Sequence, residues 1–165
     1  MTTKRASFAG LMAASMQSSA VKKRNRSANS RNELMLRKEL WRLGLRYRKN
    51  VKGLPGKPDI VFVGPRVAVY CDGDFWHGRN WDKLRSKLRM GANAEYWCAK
   101  IESNIERDLH NQRLLEEAGW HVLRLWETDI LRDIIGIALT IKEVIDMRKG
   151  RDGRENRTHI GRVRG

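Results

Sequence analysis

Two short apolar runs, Ile60-Val61-Phe62-Val63 and Val67-Ala68-Val69-Tyr70-Cys71, are separated only by Gly64-Pro65-Arg66. β-Branched and aromatic residues on either side of a Gly/Pro turn predict an antiparallel hairpin, and both runs are apolar enough to be buried. The rest of the chain must supply the cover. A helix is expected from Asn32, read as its cap, with Glu33 in the first turn and Leu36, Leu40 and Leu43 on one face until Gly44 stops it. The loop from Lys49 to Lys57 holds two glycines and a proline, and residues 73–93 read as irregular and basic.

Beyond that loop, Ala94 to Ala118 reads as a long helix ended by Gly119. Its Trp97, Ile101, Asn104 and Asp108 recur at spacings of 4, 3 and 4 and so share a face. His121 to Trp126 alternates as a strand. Thr128 is expected to cap a last helix whose apolar stripe is Leu131, Ile134, Ile135, Ala138 and Ile145. The order α-β-β-α-β-α predicts one α/β domain over 32–148, a small mixed β-sheet flanked by helices, with no internal repeat. A basic flexible arm, 1–31, precedes it and a Gly/Arg-rich tail, 149–165, follows.

A chain of 165 residues, 41% hydrophobic, is long and apolar enough to bury such a core. Cys71 and Cys98 alone cannot build a disulfide framework or a zinc site, and no apolar run has the length of a membrane span or a secretory signal. The expectation is a soluble protein of the reducing cytoplasm.

Charge is concentrated at the ends. Residues 1–50 carry 13 basic and 2 acidic side chains, residues 148–165 carry 7 and 2, and the middle carries 14 and 15. Either the ends are solvated tails, or the arm, with Lys22, Lys23, Arg24 and Arg26, binds a polyanion. Phosphate neutralisation with counterion release favours nucleic acid as the partner.

The hairpin places Asp59 at the start of one strand and Asp72 at the end of the other. Two carboxylates converging on a point would raise each other's pKa unless a cation lay between them, and an oxygen-ligated Mg²⁺ suits such a pair. The bland alternative is that Asp59 opens a turn and Asp72-Gly73 is ordinary turn chemistry. Spacing alone does not choose.

A set of ordered motifs does. Leu54-Pro55-Gly56-Lys57-Pro58-Asp59, Asp72-Gly73-Asp74-Phe75-Trp76-His77, Glu95-Tyr96-Trp97 with Lys100-Ile101, Asn104 and Glu106-Arg107-Asp108, then Gly119-Trp120 and Leu125-Trp126-Glu127, follow one another in the chain. Together with Glu33 and Gly44-Leu45-Arg46-Tyr47-Arg48, they resemble the very short patch repair endonucleases, members of the PD-(D/E)XK superfamily, over roughly Arg31 to Thr128. The resemblance implies a restriction-endonuclease-like fold. It places the metal-binding aspartate on Asp59, the residue lending a backbone carbonyl to the metal on Cys71, and the histidine that acts as or assists a general base on His77. Asp108 matches an acid supporting the site, and Glu33 a helix acid near the metal. Phe75, Trp76 and Trp97 match aromatics wedged into the base stack, and Arg79 joins the arm residues as a DNA contact.

There are departures from the pattern. The four positions that hold a structural zinc in the related enzymes are Asp74, Arg79, Trp81 and Thr128 here, so zinc is expected to be absent. A further histidine of the site is Asp72, which adds a hard oxygen ligand for Mg²⁺, or for Mn²⁺ in its place. The function implied is a metal-dependent endonuclease that nicks or cleaves duplex DNA with a metal-activated water, in a bacterial or phage-encoded, nucleoid-associated setting. Its rival is a catalytically inactive DNA-binding protein on a nuclease fold. Retention of Asp59, Asp72, Asp108 and His77 favours activity, and no RRM-like or KH-like feature supports an RNA-binding module.

Overall fold

A computed structural model of the chain describes residues 29–160, with side chains through residue 150. The arm residues Lys22, Lys23, Arg24 and Arg26 lie outside the described residues.

Helix α1 spans Arg31–Arg42. Its cap is Ser30, two residues before the expected Asn32: the Ser30 hydroxyl accepts from the Glu33 N–H, while the Glu33 carboxylate takes the Asn29 N–H at 2.8 Å. The spacing Ser30–Glu33 is that of a capping box, and it leaves Asn32 buried behind the cap. Leu36 and Leu40 are fully buried on the expected face, each contributing roughly 1.5–3 kcal/mol. Gly44, at φ +77°, ends the helix, and the Leu45 N–H closes on the Leu40 carbonyl at 3.0 Å.

The sheet has four strands in the order β1 (Arg48–Lys49), β2 (Ile60–Phe62), β3 (Val67–Asp72) and β4 (His121–Trp126). The expected hairpin is β2–β3, antiparallel with Ile60 opposite Val69 and Phe62 opposite Val67. The two-residue strand β1, inside the segment read as loop, extends it antiparallel. Strand β4 returns parallel to β3, with Tyr70 beside Arg124 and Asp72 beside Trp126. A parallel return needs a crossover, supplied here by α2 (Trp81–Arg89) and α3 (Ala94–Glu117).

Alternation along β3 then divides the core in two. Val67 and Val69, with Ile60 and Phe62, face Leu36, Leu40, Ile130, Ala138, Ile141 and Ile145. Ala68 and Tyr70 face the other way, onto Leu115, Trp120 and Val122. Asp72 continues that second row to the C-terminal end of β3.

Three expectations are corrected. Residues 73–93 are not irregular throughout, because Trp81, Leu84 and Leu88 recur at helical spacing and α2 lays them half-buried against α3. The basic residues between them obscured that period. Thr128 does not cap the last helix. It lies within a short helix α4 (Glu127–Arg132), the chain breaks at Asp133, and Asp133 Oδ1 accepts the Gly136 N–H at 2.9 Å to start α5 (Ile134–Ile160). The break shifts the phase of the apolar stripe: Ile130, Ala138, Ile141 and Ile145 are buried, while Leu131 and Ile135 face outward. Helix α5 also continues past residue 148, its backbone helical through Ile160.

Candidate active site

The segment before β2 is fixed from below. The Tyr70 hydroxyl donates to the Pro55 carbonyl at 2.6 Å, and burial pushes this phenol up to about 12. Asp59 follows, its backbone N–H on the Val69 carbonyl at 3.0 Å and its carbonyl accepting from Arg37 Nη2 at 3.2 Å. Asp59 Oδ2 accepts the Cys71 N–H at 2.8 Å; among the described residues Oδ1 accepts no hydrogen bond. Burial lifts the Asp59 carboxyl to about 6, opposed by the Cys71 N–H and helped by the nearby charges of Glu33 and Asp72.

Asp59 is therefore a buried acid with two other acids close by, a setting that a divalent cation relieves. Its free oxygen and the carbonyl of Cys71 are the groups that could hold one. Among the described residues, no cluster of three or more His, Cys, Asp or Glu side chains has metal-holding geometry, so any metal here leans on backbone oxygen and solvent. Burial, first, and the neighbouring acids push the Cys71 thiol well above its usual value, which leaves it an inert side chain. Glu33 is held by the start of α1 and by Arg37, 3.1 Å away.

After β3 the chain turns through residues 73–80 and is pressed onto α3. Gly78 sits at φ +70° so close to the helix that a Cβ there would lie 2.5 Å from Ile105 Cδ1. Asn104, buried on α3, donates to the Trp76 carbonyl at 2.9 Å and accepts from Arg107 at 3.1 Å. One turn further along α3, Asp108 Oδ2 lies 2.5 Å from His77 Nδ1.

Burial works against the Asp108 carboxylate. The hydrogen bond from His77, the charge of Arg124 and the hydrogen bond from Arg107 outweigh it and hold the group below the usual range. An ionised carboxylate only accepts, so Nδ1 is the donor in this contact, and in a neutral imidazole so held the lone pair lies on Nε2.

Asp72 is 3% exposed and is gripped by a residue the sequence reading did not single out. Arg124 Nε and Nη2 reach Asp72 Oδ2 and Oδ1 at 2.6 and 2.8 Å. The same Nη2 lies 3.3 Å from Asp108 Oδ2, and the guanidinium stacks 4.7 Å from the centre of the Tyr70 ring. The two carboxylates, the imidazole and the guanidinium form one connected group, with Asp59 close enough to feel the charge on Asp72.

The three aromatics expected to act on DNA also meet. Phe75, Trp76 and Trp97 pack edge-on or tilted with ring centres 5.1–5.9 Å apart, and Phe75 keeps 38% of its surface exposed. Three of the four positions that the resemblance assigns to zinc lie in a set of polar contacts. Thr128 donates to Asp74, and Arg79 lies 3.5 Å from Asp74 and 2.9 Å from Asp129. Trp81 is half-buried at the start of α2. Arg79, expected as a DNA contact, thus ties the 73–80 turn to α4.

Arg37 and Arg124 are the residues that sequence reasoning missed, while Arg107 entered only within the motif Glu106-Arg107-Asp108, without a role. The signal for Arg124 is its phase in β4, where it shares a face with Val122 and Trp126. An arginine in an inward row asks for a buried acid, but naming Asp72 as that acid requires the parallel register of β3 and β4.

Comparison with known proteins gives the same assignment. A family model described as DNA mismatch endonuclease Vsr matches residues 12–83. The chain is 40% identical over 126 residues to the type II nicking enzyme V.NmeDIP of Neisseria meningitidis serogroup C, a match spanning 76% of this chain and 84% of that protein. It is 37% identical to the type II nicking enzyme V.HpaIIP of Haemophilus parainfluenzae, over 76% of this chain and 87% of that one. With DNA mismatch endonuclease Vsr of Escherichia coli K12 the identity is 31%, over 69% of this chain and 74% of that one. With the hairpin, the histidine-bearing turn and the acid-bearing helix arranged as above, the chain belongs to the Vsr family of DNA endonucleases and shares its restriction-endonuclease-like fold.

Proposed function

We propose that this protein nicks duplex DNA by hydrolysing one phosphodiester, with His77 as the base that receives a proton from the attacking water. The observation that carries this reading is the contact of His77 Nδ1 with Asp108, which makes Nδ1 the donor and leaves Nε2 as the acceptor of the neutral imidazole. Relatives named as nicking enzymes and as a mismatch endonuclease support the substrate and the reaction class.

Asp59 and the Cys71 carbonyl are the groups assigned to a divalent ion, Mg²⁺ or Mn²⁺, which when bound would act as a Lewis acid on the scissile phosphate and its water. Glu33 acts on that position through space, as a charge held at the start of α1. Phe75, Trp76 and Trp97 form the surface assigned to the base stack. Wedging there costs a few kcal/mol per step, and the cost is least at a mismatched pair. The basic arm, with Lys22, Lys23, Arg24 and Arg26, supplies phosphate contacts, and duplex DNA is the partner throughout.

The test is incubation with Mg²⁺ of supercoiled plasmid and of duplexes with and without a T·G mismatch. Open-circular product and a single broken strand are expected. Protein that binds these DNAs and leaves every strand intact would defeat the proposal in favour of a DNA-binding protein on a nuclease fold.

A further inference from the structure

His77 Nδ1 has two carboxylates within reach: Asp108 Oδ2 at 2.5 Å and Asp72 Oδ1 at 3.6 Å. Which of them it binds decides where Nε2 points. Arg124 engages both Asp72 oxygens and touches Asp108 with one nitrogen only. A planar guanidinium matches a carboxylate through two parallel bonds, and stacking on Tyr70 holds that plane in place. Asp72 is thereby occupied and neutralised, and the imidazole is left to Asp108.

We propose that Arg124 is a positioning residue, which by pairing with Asp72 directs His77 onto Asp108 and so aims the His77 Nε2 lone pair. The pairing also assigns Asp72 a role distinct from metal binding, as the counter-charge of Arg124. Arg124 acts through other side chains and not on DNA. Three residues from three segments are coupled: Asp72 ends β3, Arg124 lies in the neighbouring strand β4, and Asp108 rides on the crossover helix α3. Loss of Arg124 alone would leave Asp72 a buried, unpaired acid that competes for the imidazole, whereas loss of both charges would remove the competitor.

The inference rests on the proposed nuclease activity only for its kinetic consequence, and the experiment has two readouts for that reason. The first is nicking kinetics on plasmid DNA for wild type, Arg124→Gln, Arg124→Lys and the double variant Asp72→Asn/Arg124→Gln. Arg124→Gln is expected to lower kcat on the order of 10–100-fold with KM for DNA unchanged, the range seen when supporting residues of an active site are removed. Arg124→Lys, which restores charge without the fork, should recover part of the loss, and the double variant more of it. The second is the side-chain ¹⁵N spectrum of His77, which reports the Nδ1–H tautomer whether or not the protein cuts DNA. Arg124→Gln should shift these signals, and the double variant should return them towards wild type.

Unchanged His77 signals in Arg124→Gln would overturn the proposal. So would a raised KM and a shallower salt dependence at constant kcat, since those mark a phosphate contact. If wild type nicks nothing, the nuclease reading fails while the His77 spectra still decide the role of Arg124. If Arg124→Gln does not fold, Arg124→Lys and the double variant carry the same comparison, and His77 signals unchanged in Arg124→Lys would count against the coupling.

Discussion

Asn104 reaches from the middle of α3 to the backbone carbonyl of Trp76, and that 2.9 Å hydrogen bond sets how far the histidine-bearing turn stands from the helix. Asn104→Ala would leave a part-buried carbonyl without this donor. Urea denaturation should show a loss of about 1–3 kcal/mol. Nicking should fall by more than DNA affinity does, because His77 is displaced while the groups that hold phosphate stay where they are.

Gly78 is pinned from two sides, by its positive φ and by Ile105 at 2.5 Å from a would-be Cβ. Gly78→Ala should therefore lower stability, and Ile105→Val beside it should recover only the steric part. Full recovery in the double variant, read by thermal melting, would show that backbone strain contributes nothing here.

Asp59 sets function against stability. Its pKa is raised to about 6 from an ordinary 3.8, so the folded state binds this proton more tightly than the unfolded chain. The contribution is therefore present at low pH and is lost as pH rises through about 6. In metal-free buffer, Asp59→Asn should melt higher than wild type at pH 7.5 and no higher at pH 4. It should also abolish Mg²⁺-dependent nicking with DNA affinity within a few-fold. A pH-independent difference in melting would contradict the burial argument, and full nicking by a homogeneous preparation would contradict the site.

Deletion of residues 1–28 removes basic side chains at 4, 5, 22, 23, 24 and 26 and no acid, yet keeps the Ser30 cap of α1. The salt dependence of duplex binding should become shallower by roughly 0.9 in log–log slope for each phosphate that the arm neutralises. An identical slope would mean that the arm touches no DNA.

The contacts among Asp74, Arg79, Thr128 and Asp129 tie the turn to α4, and the four positions assigned to zinc by the resemblance carry neither Cys nor His. Purified protein should hold no stoichiometric zinc, and a chelator should leave its melting temperature unchanged. Arg79→Ala should lower the urea midpoint, because it leaves Asp74 and Asp129 without their shared cation. One zinc per chain by elemental analysis would refute this account.

Local signals in the sequence were enough for the hairpin, the long helix and its Asn104–Asp108 face, because each rests on one period and one terminator. The break at Asp133 was not legible, since the apolar residues on its two sides make one continuous pattern until the phase shift is known. Helix α2 was hidden by Lys83, Arg85 and Lys87, which lie between its three apolar anchors, and by Arg89 just after them. Asp59, His77 and Asp108 could be named from ordered motifs. The fork between Arg124 and Asp72 could not, because it depends on which strand lies beside which, and two residues 52 apart in sequence carry no local sign of being neighbours.

That separation governs when the enzyme comes into being. The β3–β4 pair closes a long loop, and the entropy of closing it must be met before any contact across the pair forms. Asp59, Cys71 and His77 all precede Arg124 in the chain by more than forty residues, so a growing chain holds them before the strand that carries Arg124 exists. The group of Asp72, His77, Asp108 and Arg124 is therefore complete only once β4, which carries the last of the four to be made, has paired with β3.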